Sequence, residues 1–461
     1  MLSESVLAAA KELSVHDVLD DRDLVPDEAE QLVTSGYPAG PLLEQARAAA
    51  RVSSWPRLAE IEAQLAALPR DPGWPYREPA ADELPALLPE PLTGPLTGPA
   101  GVALSRADLA DRLYGAWLGR CVGNTMGKPV EGLTAAEIET YLRAAGAWPQ
   151  RGFVPLLDEL PPGVSHLHQS APIASLGRFS SVPRDDDLDW TLVGLHLLET
   201  YGDAMTTEDV AREWLNLLPF TQVFTAERVA YRNLVGGLRP PDTATWRNPY
   251  REWIGALIRA DAFGYAHPGD PGRAARLALT DARLSHVGNG IYGELWAAGL
   301  VAGALVTRDP AEALAAGRSC VPDGSRLAEV LDGVAALASE GASYEQARAW
   351  LDAHTGQYNW VHTVNNAGII AVALRWGGGD FVTTIARSVA AGLDTDSNAA
   401  TVGSVFGALH GAAAIPAELR AAGGERLSSA VQGFDGIEIA ALAERSLRLA
   451  EKLAAGADVA P

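Results

Sequence analysis

The chain has 461 residues, 48% of them apolar, and a formal net charge of −22. That length suits one large domain with an extension, or more than one domain. The charge argues against a nucleic-acid or anionic-membrane partner, but not against an anionic substrate, because bound cations reverse a local field.

The N-terminal stretch MLSESVLAAAKELSVHDVLDD lacks the basic and apolar regions of a signal peptide. No apolar run reaches membrane-spanning length. Residues 1–70 read as helices with acidic and basic faces, followed by a Pro-rich passage ending in PLTGPLTGPAG (91–101), a linker signal. The expected division is therefore 1–104, a helical extension with its linker, and 105–461, the main domain. From residue 105 onward the pattern is helical almost throughout. ADLADRLYGAWLGRCVGNTMG (107–127) and LDWTLVGLHLLETYG (188–202) have helical periodicity, with Gly202 as the expected cap of the second. IYGELWAAGLVAGALVT (291–307), VNNAGIIAVALRWGG (364–378) and FVTTIARSVAAG (381–392) continue it. The class is all-α, a large irregular bundle. Gly115, Gly119, Gly123 and Gly127 recur every fourth residue. The first two suit close helix packing, and the last two are expected to leave the helix and shape a loop. Cys121 and Cys320 form neither a disulfide framework nor a zinc pattern, which fits a reducing cytoplasm.

Two acidic groups interrupt this apolar pattern. VPRDDDLDWTL (182–192) holds Asp185, Asp186 and Asp187, and GLDTDSNAATVGSVFGALHG (392–411) holds Asp394 and Asp396. Each opens an apolar helix. Acids at a helix start are favoured by the helix dipole, so one solvated cluster alone needs no ligand. Two such starts, about 210 positions apart, meet only through folding, and buried carboxylates need a cation. Oxygen donors select Mg²⁺, Ca²⁺ or Mn²⁺ over zinc. Neither segment is an EF-hand loop: the required Gly is Trp190 or Ala399, and the closing Glu is His196 or Val405. A shared two-metal carboxylate site fits better.

GAWLGRCVGNTMGKPVEG (115–132), RDDDLDWTL (184–192), LSHVGNGIYG (284–293) and the 392–411 segment, in that order, resemble the motifs of the ADP-ribosylglycohydrolase family. The resemblance spans roughly residues 106–415. It implies an all-α fold with two Mg²⁺ ions, Mn²⁺ being the alternative, at the bottom of a cleft. It implies metal ligands at Asp185, Asp186, Asp187, Asp394, Asp396 and Ser397, and a glutamate near the metals at Glu131. Departures from the family pattern are Asp185 in place of threonine, Leu188 in place of a second threonine, Asn124 in place of Gly-Asp, and Ser397 in place of threonine. The implied reaction is hydrolysis of a ribosyl glycosidic bond, through an oxocarbenium-like transition state. Glu131 is the first candidate for the catalytic base and Asp186 the second. His286, Asn289, Gly290 and Gly392 are the candidate substrate contacts. Arg259 stands as either a phosphate contact or a surface ion pair. The implied partner is an ADP-ribosylated protein or an ADP-ribose derivative. A small nucleoside-type N-glycoside is the alternative substrate, and a non-catalytic ADP-ribose-binding regulator is the third reading. Residues 1–104 fall outside the resemblance, and a cap over the cleft, a dimerisation element or a docking arm all fit them.

Overall fold

The computed structural model describes residues 19–91 and 104–456. The expectations for the extreme N-terminus and for most of the 91–101 linker fall outside the described residues.

The N-terminal segment forms three helices, each with a local start signal. Asp20 caps α1 (Asp21–Thr34) by accepting the Arg22 amide N–H. Proline stands in the first turn of α2 (Gly40–Arg51) and α3 (Trp55–Ala66), where its missing N–H costs nothing. Val25, Ala29, Leu32, Ala46, Leu58 and Ile61 close a small core of their own. Residues 67–91 then run back along the main body, where Leu84 and Leu88 join the large core.

The main body is built from long helices. Ser105 caps α4 (Arg106–Gly127) by accepting from the Asp108 amide. Asp185 caps α5 (Asp186–Tyr201), which ends at Gly202 with φ +57°, the left-handed stop the sequence announces. The almost wholly buried α6 (Gly288–Ala304), then α7 (Arg326–Ser339), α8 (Thr363–Trp376) and α9 (Phe381–Val389), surround α10 (Thr395–His410) and α4 at the centre. Among the described residues the strands amount to one antiparallel pair, Arg426–Leu427 with Ile437–Glu438. The all-α class is as expected. No helix of the described residues is long and apolar enough to cross a membrane.

The central feature is the contact of α4 with α10. A Cβ at Gly115, Gly119, Gly123 or Gly127 would overlap the backbone of Gly407, Gly403, Ala399 or Thr395 respectively. The expectation that Gly123 and Gly127 leave the helix is therefore corrected. α4 continues through Gly127, and all four glycines lie on the same bare face. The turn-like sequence GNTMGKPVEG stays helical because the partner backbone fills the place of side chains. Gly403→Ala is expected to lower stability by about 3 kcal/mol or more, because the new methyl meets a rigid carbonyl rather than a movable side chain. Urea denaturation measures this; a loss below about 1 kcal/mol would show that the two helices part easily.

The N-terminal segment is tied to the body by a buried polar network. Arg326 donates to both oxygens of Glu252 (2.7 Å each) and to Glu78. Gln31 on α1 donates to Glu252 (2.6 Å), as does Ser35 (3.2 Å). The Tyr292 hydroxyl donates to the Pro79 carbonyl (2.6 Å). Arg326, Glu78 and Glu252 are all less than a tenth exposed. Removing one member of such a set strands the others without water. Glu252→Ala is expected to cost about 3–5 kcal/mol in urea denaturation. A neutral result would mean that the segment is held by apolar contact alone.

Candidate active site

A cleft of about 570 Å³ opens in the main body. Its floor is made where the C-terminal end of α4 meets the N-termini of α5 and α10. The glycine contact places Gly127 under Thr395, whose hydroxyl donates to the Gly127 carbonyl (2.8 Å). The chain after α4 makes one short 3-10 turn, Lys128–Val130, and delivers Glu131 to the cleft. The Gly132 and Leu393 amides bond across to the carbonyls of Leu393 and Leu133. Gly392 and Leu393 both have positive φ (+75° and +64°). For leucine this is a strained conformation, and it immediately precedes Asp394.

This junction produces two carboxylate groups. Glu131, Asp394 and Asp396 bring one oxygen each within 4.8 Å of one another, and so do Asp185, Asp186 and Asp187. The groups are linked by Ser397, which donates to Asp187 Oδ2 (3.2 Å). Lys128 links them a second time, through contacts with Asp185 and with Asp396 (3.1 Å). Asn124, inside α4, also donates toward Asp187 (3.4 Å). Asp187 Oδ1 and Asp396 Oδ1 are buried with no hydrogen-bond donor. Such oxygens are costly unless a cation meets them, and an all-oxygen set suits a hard divalent ion.

The electrostatics agree with this picture. Burial pushes the carboxyls of Asp187 and Asp394 well above the ordinary value, and neighbouring Asp396 pushes further. Glu131 is raised for the same two reasons. Asp186 is raised by burial, which the Arg184 and Lys128 charges oppose. Asp396 is the exception: burial works against its charge, but the Lys128 charge, with hydrogen bonds from Asp394 and Glu131, holds it below the ordinary value. His168 Nε2 lies 3.3 Å from Glu131 Oε2. Burial, with help from Lys128, lowers the His168 imidazole to about 3, so it is neutral at physiological pH.

Glu131, Asp186, Asp187, Asp394, Asp396 and Ser397 all line the cleft. Asp185 lies behind them, 1% exposed, with one oxygen accepting the Asp187 amide N–H (3.0 Å) and the other against Lys128. The four candidate substrate contacts lie outside the cleft lining. Gly392 is pressed on the backbone of Leu133–Ala135. His286 is buried beside Ser285 (2.8 Å). Asn289 donates to Glu78 and Glu252 and accepts from the Leu327 amide, and Gly290 packs on Arg251 and Glu252. Asn289 and Gly290 belong to the junction with the N-terminal segment, whose described residues 19–91 contribute nothing to the lining. Arg259 is neither a surface pair nor in the cleft lining. It is 2% exposed among Glu227, Asp281 and Glu294.

Several cleft residues went unnoticed in the sequence. His166, His168, Gln169 and Ser170 come from an irregular loop; Phe224, Thr225 and Glu227 come from another helix start; Trp360 and Val361 precede α8. None has a local pattern that marks it. Lys128 was visible in KPVEG, but a lone lysine in a loop carries no signal. Glu227 reaches the cleft because Gly255 has no Cβ to block its carboxylate. Burial pushes it up to about 7, against the opposing charge of Arg259. Its folded value thus lies above its ordinary 4.5. The folded chain holds that proton more tightly, so the contribution to stability is full below about pH 4.5 and is lost as pH rises through about 7. Glu227→Gln is expected to flatten the stability difference between about pH 5 and about pH 8 in urea denaturation. An unchanged slope would place the titration elsewhere.

Fold and floor together define a helical protein whose cleft converges on paired carboxylate clusters. The model of the family described as ADP-ribosylglycohydrolase matches residues 105–456, and the chain belongs to that family. No curated protein matches the chain. A solved structure titled "ADP-ribosylglycohydrolase-related protein complex" is similar over 75% of this chain and 99% of that one, at 20% identity and a TM-score of 0.45. Family membership supports a hydrolase that acts on glycosidic bonds.

Proposed function

We propose that the protein is a divalent-metal-dependent hydrolase of a ribosyl glycosidic bond, acting on an ADP-ribosylated protein or an ADP-ribose derivative. The observation that carries this reading is the convergence of the two acidic helix starts on the floor of one cleft, with buried oxygens of Asp187 and Asp396 left free. Asp186, Asp187, Asp394, Asp396 and Ser397 are the residues that would hold Mg²⁺ or Mn²⁺, with Glu131 alongside. Such an ion supplies charge to orient sugar hydroxyls and to acidify a water.

The chain's own groups do the rest. Glu131 sits at the cleft mouth of the acidic floor, a fifth exposed, with His168 and Lys128 beside it. A carboxylate so placed takes a proton from a water on the sugar's open face, and His168 keeps it oriented. Asp186 is the second candidate for that role. Ile173, Phe224, Ile254, Ile258 and Trp360 make the walls apolar, which keeps bulk water from the bond and gives a ring two aromatic faces.

One observation favours the second substrate reading, a small nucleoside-type N-glycoside. Among the described lining residues, the two side chains with permanent positive charge are both paired, Lys128 with Asp185 and Asp396, and Arg184 with Asp189. A diphosphate prefers unpaired basic groups. Hydrolysis of ADP-ribosyl-arginine, ADP-ribosyl-serine, O-acetyl-ADP-ribose and simple nucleosides, each with Mg²⁺, with Mn²⁺ and with EDTA, separates the two. Turnover is expected to vanish with EDTA and in the variant Asp394→Asn/Asp396→Asn, with a loss on the order of a thousandfold or more. Turnover that survives EDTA and the double change would sink the metal-dependent reading.

A further inference from the structure

The Lys128 ammonium stands inside the carboxylate floor rather than beside it. It contacts Asp185 from one cluster, and Asp396 (3.1 Å) and Glu131 (3.9 Å) from the other. We infer that Lys128 is a built-in cation of this site, so that the chain holds one divalent ion where resemblance to the family implies two. The inference rests on the metal-dependent reading above.

Four features carry it. The lysine is pinned: it follows Gly127, whose backbone lies against Thr395, and precedes Pro129, and its side chain is only 7% exposed. It is not a surface group that strayed into a cleft. Next, Asp185 has no oxygen to spare. One oxygen caps α5 through the Asp187 amide and the other meets Lys128, and the residue does not line the cleft. Asp185 therefore acts as the counter-ion of Lys128 and not as a metal ligand. The Asp185 carboxylate and the Lys128 ammonium thus form one compensating pair.

The third feature is what remains. Besides Asp185 Oδ2, which meets Lys128, the unpartnered buried oxygens of the floor are Asp187 Oδ1 and Asp396 Oδ1, with the Ser397 hydroxyl bonded to Asp187 and with Asp394 grouped beside Asp396. That is an oxygen set for one hard ion. Fourth, a second divalent ion on Glu131 and Asp396 Oδ2 would share its ligands with an ammonium already in contact with them, and like charges at that range repel. The Lys128 ammonium thus occupies the electrostatic role of the second ion while offering hydrogen bonds in place of a Lewis-acid site.

Mn²⁺ counting tests this without an activity assay. The full-length chain is dialysed against Mn²⁺, the bound ion is counted by elemental analysis, and its spectrum is recorded by electron paramagnetic resonance. Wild type is expected to hold one Mn²⁺ per chain with the spectrum of an isolated ion. Lys128→Met/Asp185→Asn removes both charges of the pair together and keeps a capping side chain at position 185. It is expected to bind a second Mn²⁺ and to show a spin-coupled pair. Lys128→Met alone should do the same, and the double variant decides the matter if that single variant fails to fold. Two ions in wild type would overturn the inference and leave the metal-dependent reading standing. A count that stays at one in the folded double variant would overturn it too. No bound Mn²⁺ in any of the three would end both.

Discussion

The structure depends on the backbone contact between α4 and α10. Two helices approach this closely only where neither carries side chains, and the Gly115-to-Gly127 stripe facing Gly403 and Gly407 meets that condition. The contact does more than pack. It sets the axial register of the two helices, so that the end of one lies beside the beginning of the other. Lys128, Glu131, Asp394 and Asp396 become neighbours through that register alone. A slip of one turn, about 5.4 Å, would separate Glu131 from Asp396 and dissolve the floor of the cleft.

The floor assembled in this way is electrostatically costly. Six carboxylates gather from three chain segments, four of them buried and Glu131 and Asp186 partly so. Part of the cost is offset by the helix N-termini of α5 and α10, whose partial positive charge faces the acids. Part is offset by the full charge of Lys128, which contacts both clusters, and at Asp186 by the charge of Arg184. The balance explains why Asp396 remains ionised in surroundings that drive Asp187, Asp394 and Glu131 toward protonation. It also explains the strained Leu393: a left-handed residue is tolerated where the surrounding bonds to Leu133 and Gly132 over-determine the chain.

Much of this was legible in the sequence because it is written in short-range patterns. Helical periodicity marked the class, the four-residue glycine spacing marked the close face, and acids before apolar runs marked both helix starts. The placement of Gly123 and Gly127 was misread because glycine and proline near a charged loop look like a turn, and only the partner helix shows otherwise. His168, Glu227 and Trp360 were invisible for a different reason. They enter the cleft from loops and a helix start far away in the chain, and no local pattern of residue types records that meeting. His286, Asn289 and Gly290 show the opposite case. Their motif was conspicuous, yet in this chain the His286 and Asn289 side chains face Ser285, Glu78 and Glu252, and Gly290 packs on Arg251 and Glu252, away from the cleft lining.

That displacement connects the N-terminal segment to the site. Glu252 gathers Gln31, Ser35, Asn289 and Arg326 on one side. On the other it is followed at once by Trp253, Ile254 and Gly255, the last two of which line the cleft, and Gly255 makes room for Glu227. The Glu252 and Trp253 carbonyls also accept from Thr363, at the start of α8, next to the Trp360–Val361 wall. One buried carboxylate therefore anchors the segment 19–91 and two stretches of cleft wall together. In this arrangement the described part of the N-terminal segment, residues 19–91, lends no residue to the cleft lining. It braces the wall from behind, and the order of the apolar side of the cleft rests on the same ion pairs that hold the segment in place.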